Sequence, residues 1–320
     1  VDSSRQGPPL DPDAADRIAS LGPIPSMRQR GYEAVRTSIE SAPLPTDMPP
    51  MAEIGDAAVP ALGRLIPVRL YRPTRVCAEP APVVVYFHGG GLVMGSNHSF
   101  EPLARGLAHS SGAVVVAVDY RLAPEHPPPA QFDDAFVATE WVAEQAATLG
   151  VDPTRLAVAG DSAGGGVAAA VALAARDHHG PQILVQVLMY PGVDRDMGTP
   201  SVTDMPDAPM LTHDDIVYLH DLADVGAETP HSPYRVPAFA TDLRGLPQAI
   251  VVTAASDPIR DWGERYAERM RQAGVQTTVT RYPGVYHGFL MRYDTTARGR
   301  LALAETGALL QAKFTCPLHF

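Results

Sequence analysis

Lysine is nearly absent from this 320-residue chain: Lys313 is the only one, and arginine carries the rest of the positive charge. The formal net charge is −11 with no basic cluster to offset it. Phosphate backbones need a positive surface, so this balance argues against nucleic acid as a partner. It argues equally against an anionic membrane surface. Cysteine is scarce too. Cys77 and Cys316 stand too far apart to suggest a disulfide framework or a metal-ligand spacing. They are expected as unpaired thiols, with one cross-link as the alternative. Long apolar runs are missing as well. The longest, residues 167–175, falls far short of the ~20 residues that span a bilayer, so no stable membrane insertion is expected. The opening residues, Val1 to Gln6, show no apolar h-region, and a cytoplasmic location is the expectation. Nothing in the sequence requires a metal or a cofactor.

What is present is a globular composition, 45 % apolar and 19 % charged, enough for a large core. Residues 1–50 are rich in proline and polar groups, with helical patterns near 13–20 and 26–39. They read as an N-terminal arm. From residue 65 short apolar runs alternate with helical stretches. Strands are expected at 65–71, 83–87, 114–118, 155–159, 183–189, 249–253 and 276–282. Helices are expected at 99–110, 132–149, 167–178, 262–272 and 298–314. Continuous apolar strands between helices imply an α/β fold with a mostly parallel sheet covered on both faces. The stretch 194–245 breaks the rhythm with Pro200, Pro206, Pro209, Pro230, Pro233 and Pro237 around one helical piece, 214–222. It reads as an insertion over the sheet. The expected division is an arm at 1–50, a core at 51–193, the insertion at 194–245 and the rest of the core at 246–320.

Gly160-Asp161-Ser162-Ala163-Gly164 has the form G-x-S-x-G between a strand and a helix. In that setting the serine sits on a sharp, strained turn with its Oγ exposed at the carboxyl end of the strands, and flanking glycines prevent clashes. Alone, the pentapeptide is equally readable as a close-packing Gly-rich turn. His88-Gly89-Gly90-Gly91 follows another strand. Glycines there let backbone N–H groups approach a developing alkoxide, so the oxyanion donors are sought among Gly89, Gly90, Gly91 and Ala163. His88 is expected to hold the loop rather than to react.

A base and its orienter should follow in the order serine, acid, histidine. His287, in Tyr286-His287-Gly288-Phe289, lies beyond the last expected strand and can reach the serine. Asp257 follows the 249–253 strand and is the preferred orienter. Its rival Asp261 stands at a helix start, where capping is the simpler role. Asp257-Pro258 is also readable as a plain turn pair. His178, His179, His213, His220, His231 and His319 are expected on the surface. Met197, Met205, Met210, Leu211 and Ile216 are candidates for an apolar acyl pocket, although core packing is the commoner fate of such residues.

Together, His88–Gly91, Gly160–Gly165, Asp257-Pro258-Ile259-Arg260-Asp261 and His287-Gly288-Phe289 resemble the hormone-sensitive-lipase-like family of α/β-hydrolases. The segment Asp119 to His126 adds to the likeness, which runs over about residues 65–295. The resemblance implies an α/β-hydrolase core under a helical cap built from the arm and the insertion. It also implies a serine carboxylesterase acting on short- to medium-chain acyl esters, with Ser162, His287 and Asp257 as triad. Ile259 and Leu92 depart from the family's more usual leucine and aromatic residue, and Leu92 is expected to reshape the pocket mouth. An amide, carbamate or lactone substrate remains open, as does a homodimer. A non-catalytic receptor on this fold would lack the histidine that is present here.

Overall fold

The computed structural model describes residues 3–226 and 231–317. Pro230 and His319 lie outside them. Eight strands form one sheet in the order β1-β2-β4-β3-β5-β6-β7-β8. They are β1 (Met51–Ala61), β2 (Arg64–Pro73), β3 (Ala81–Phe87), β4 (Val114–Val118), β5 (Val151–Asp161), β6 (Val185–Met189), β7 (Gln248–Ser256) and β8 (Thr277–Tyr286). Strand β2 runs antiparallel to both β1 and β4, and the strands from β4 to β8 are parallel.

The apolar runs are continuous because both faces of the sheet are covered. In β3, Val83, Val85 and Phe87 point into one core while Val84 and Tyr86 point into the other. The first core is closed by α5 (Ala130–Glu144), α7 (Ala163–Asp177) and α10 (Arg260–Gln272). The second is closed by α4 (Glu101–Ser111) and α11 (Ala297–Thr315). A full side-chain layer on each face is the dominant stabilising term, at about 25 cal/mol per Å² of apolar surface removed from water.

Strand β1 was not expected. It pairs with β2 along its whole length, yet most of its residues are exposed. At a sheet edge wet on both sides there is little alternation for the sequence to display. Cys77 and Cys316 are both free thiols. Among the described residues no helix is long and apolar enough to cross a membrane.

The arm divides in two. Its first part lies beside the far edge of the sheet: Leu10 bridges Gly284, and α1 (Pro12–Ser20) follows. Its second part, α2 (Met27–Arg30) and α3 (Tyr32–Glu40), packs against α9 (His213–Asp224) in the insertion. The short helices α6 (Ala146–Leu149) and α8 (Pro200–Asp204) complete the set. Helix α9 begins with a capping box between Thr212 and Asp215. The other oxygen of Asp215 accepts from the N–H of Met27 at 2.9 Å, so one carboxylate joins the starts of α9 and α2. Arg28 reaches Asp214 and Asp221 on the same helix. A small third core of Val35, Val93, Met94, Ala123 and Ala223 lies beneath.

Candidate active site

Ser162 stands between the end of β5 and the start of α7 with φ 54° and ψ −123°. A non-glycine residue with positive φ carries strain of about 1–3 kcal/mol, which the surroundings must hold. Here the Ser162 N–H donates to the Met189 carbonyl at 2.9 Å, and its own carbonyl accepts from Gly192 at 2.8 Å. The end of β6 and the loop beyond it thus pin the turn. Gly164 explains the second motif glycine: any Cβ there would drive into the carbonyl oxygens of Phe87 and His88. Its absence lets α7 settle against the end of β3.

The histidine and both candidate acids can now be placed. His287 lies just past β8, and its Nε2 is 2.8 Å from Ser162 Oγ. On the other side its Nδ1 is 2.8 Å from Asp257 Oδ2. A carboxylate only accepts, so the imidazole proton sits on Nδ1 and Nε2 faces the serine as an acceptor. Asp257 is completely buried. Its second oxygen accepts from the N–H of Ile259 at 2.9 Å, which fixes the carboxylate plane. The rival Asp261 is turned elsewhere. It accepts from the N–H of Ser201, tying α10 to α8 rather than capping its own helix.

The glycine loop shows a division of labour that the sequence did not. The N–H of Gly89 donates to Asp161 Oδ1 at 2.8 Å, and the hydroxyl of Tyr86 donates to the same oxygen at 2.7 Å. Gly89 is therefore engaged and drops out of the set of free donors. The N–H groups of Gly90, Gly91 and Ala163 have no protein acceptor among the described residues. Gly90 has φ 105°, and a Cβ on it would collide with the Met94 carbonyl, so glycine is required. Burial pushes the Asp161 carboxyl up to about 6, against the opposing pull of Tyr86 and Gly89. His88 is buried, stacks on Tyr120 at 4.3 Å and Phe100 at 5.3 Å, and donates from Nδ1 to the Gly89 carbonyl. The Tyr120 hydroxyl donates to the His88 carbonyl at 2.5 Å. The 119–126 segment thus braces this loop, and Arg36 of α3 binds it from outside through Ala123 and Glu125.

Ser162 opens into a cavity of about 200 Å³. Leu92, Val167, Leu211, Ile216, Leu219 and Ile259 supply much of its wall. Of the five proposed pocket residues, Leu211 and Ile216 are there and the three methionines are not. Met205 is buried against Gly7, Met210 is exposed, and Met197 packs on the main core. None of the described residues before β1 lines the cavity either, so the arm reaches it only through α9. His178, His179, His213 and His231 are exposed as expected. His220 is not a surface residue: it lines the cavity and lies flat on Trp262. Ile216, Leu219, His220 and Ala223 fall at i, i+3, i+4 and i+7 and all line the cavity, so the helical period was the signal that could have placed it.

A family model for the alpha/beta hydrolase fold matches residues 84–291. The chain is 40 % identical over 309 residues to carboxylesterase NlhH of Mycobacterium tuberculosis, covering 92 % of this chain and 96 % of that one. It is 33 % identical to an arylesterase of Saccharolobus solfataricus, covering 96 % and 99 % of the two. Among solved structures, a hyperthermophilic esterase from the archaeon Pyrobaculum calidifontis superposes with a TM-score of 0.86 at 38 % identity, covering 95 % of this chain and 98 % of that one. The elbow, the glycine loop and these relatives converge on one conclusion: the chain belongs to the hormone-sensitive-lipase-like esterases of the α/β-hydrolase fold.

Proposed function

We propose that this carboxylic ester hydrolase cleaves short- to medium-chain acyl esters by acyl transfer through Ser162, His287 and Asp257. The observation that carries the reading is the unbroken path from Ser162 Oγ to His287 Nε2 and from His287 Nδ1 to Asp257 Oδ2, with both contacts at 2.8 Å. Ser162 attacks the carbonyl while His287 takes its proton. Asp257 holds the imidazole in the right tautomer and stabilises it once charged. The N–H groups of Gly90, Gly91 and Ala163 receive the alkoxide; each such donor is worth roughly 10²–10³ in rate. His287 then protonates the departing alcohol, and water repeats the sequence on the acyl-enzyme.

The chain-length reading is supported by the cavity. At about 200 Å³ it lies below the roughly 300–1,000 Å³ of pockets for drug-sized ligands, which favours small acyl groups. We take α2, α3 and the 194–245 insertion together as the cap. We also place the enzyme in the cytoplasm, acting on dissolved esters, since a net charge of −11 disfavours anionic lipid. The test is hydrolysis of p-nitrophenyl esters from C2 to C12 by the wild type and Ser162→Ala. Turnover centred on short chains and lost by on the order of 10⁶ in kcat in the variant is expected. Turnover that survives in the variant removes Ser162 from the mechanism.

A further inference from the structure

We propose that His220, on the cap helix α9, is a recognition group for ester substrates that carry an uncharged hydrogen-bonding substituent, a hydroxyl first of all, on the chain leading away from Ser162. The proposal rests on the reading of Ser162 as nucleophile and adds the chemistry of the substrate's far end.

His220 and Ser162 line the same cavity, and Leu211, Ile216, Leu219 and Ile259 make much of the remaining wall apolar. A plain alkyl chain would need nothing else. His220 breaks that lining. Its ring stacks on Trp262 with 6.0 Å between centroids and 13° between planes. Trp262 is itself fixed, its indole N–H donating to the Asp196 carbonyl at 2.8 Å. The imidazole is therefore held by its face, and its nitrogens are left at the edge. Neither nitrogen has a hydrogen-bond partner among the described residues, neither is fully buried, and the residue lines the cavity. Burial, with help from Arg195, pushes the imidazole down to about 4. At neutral pH it presents one N–H donor and one acceptor nitrogen, the pair that a hydroxyl satisfies. Against an alkyl chain both nitrogens would lose water without compensation.

The nearby charges explain why the substituent is uncharged. Arg195 and Arg235 both bind Asp224. Asp194 on the cavity wall accepts from the backbone N–H of Arg195 at 2.7 Å. Both guanidinium groups are thus bound to Asp224, which disfavours an anionic tail, and burial pushes the carboxyl of Asp133, also on the wall, upward, against its charged form.

The experiment compares kcat/KM for p-nitrophenyl hexanoate with p-nitrophenyl 6-hydroxyhexanoate, and for hexyl acetate with 6-hydroxyhexyl acetate, so that both sides of the ester are probed. The wild type is expected to prefer the hydroxylated member of one pair by on the order of tenfold, the value of one neutral hydrogen bond. His220→Phe keeps a ring on Trp262 and should bring that ratio close to one, while His220→Gln should retain part of it. Parity in both pairs for the wild type overturns the proposal. So does a preference that survives in His220→Phe, or, if that variant does not fold, one that His220→Gln raises rather than lowers. Failure of the nucleophile reading looks different: the wild type hydrolyses neither p-nitrophenyl ester, or Ser162→Ala hydrolyses both.

Discussion

Replacing Asp161 by asparagine should make the protein more stable and the enzyme slower, and the two effects have different pH dependences. Asp161 is almost fully buried, and its carboxyl is raised from the ordinary 3.8 to about 6. The folded state therefore holds a proton between about pH 4 and 6 that the unfolded chain has released. Stability from this group is fully present below pH 4 and is lost as pH rises through 6. The difference corresponds to about 3 kcal/mol at about 1.4 kcal/mol per pKa unit. Asparagine carries no charge to desolvate and can still accept from Tyr86 and Gly89. Urea denaturation of both proteins from pH 5 to 8 should show the variant gaining on the wild type as pH rises, by about 1.5 kcal/mol over this range because the rest of the difference is already lost below pH 5, then levelling above pH 7. Turnover should move the other way. A neutral acceptor holds Gly89 less firmly than a carboxylate, and the neighbouring Gly90 and Gly91 are the proposed oxyanion donors. We expect kcat to fall roughly tenfold to a hundredfold, less than deleting a donor outright, with KM little changed. A stability difference that stays flat across this range, or a variant less stable at pH 8, would refute the reasoning.

Two further outcomes follow from the geometry. Asp257→Asn keeps the shape but favours the wrong imidazole tautomer, so kcat should drop by about 10⁴ while circular dichroism and substrate binding are retained; a loss under tenfold would point to another orienter. Deleting residues 1–40 removes Met27 and Arg28 from Asp214, Asp215 and Asp221, which loosens α9 over the cavity. The C2-to-C12 profile should flatten, and an unchanged profile would separate the arm from substrate selection.

The parts of the fold that read well from sequence are those where physics acts locally. The β3 and β4 runs are apolar throughout because each is buried on both faces. The elbow and the glycine loop are legible because a strained serine and close backbone approaches admit few residue types. What stayed hidden depends on partners distant in sequence. Strand β1 takes its conformation from β2 rather than from any periodicity of its own. Gly89 looks equivalent to Gly90 and Gly91 in sequence, and only the placement of the Asp161 side chain, 72 residues further along the chain, sets it apart. Asp161 itself drew no notice, because a motif aspartate next to a serine carries no sign of burial. The methionines stay undecided in the sequence for a similar reason: flexible side chains fit core and pocket alike, and only contacts distant in sequence, such as that of Met205 with Gly7, decide between them.

Ser162, Asp257 and His287 sit past the ends of β5, β7 and β8, and 125 residues separate the serine from the histidine. During synthesis the serine turn leaves the ribosome well before β8, which carries the chain to His287, the proposed base. On the proposed mechanism, hydrolytic competence arrives only when β8 docks on β7, a local closure onto strands whose own assembly needs the longer-range pairings of β3 with β5 and of β6 with β7. Appearance of turnover is in that sense a clock. In a refolding experiment it should lag behind the return of helical signal and mark the moment at which the far edge of the sheet closes.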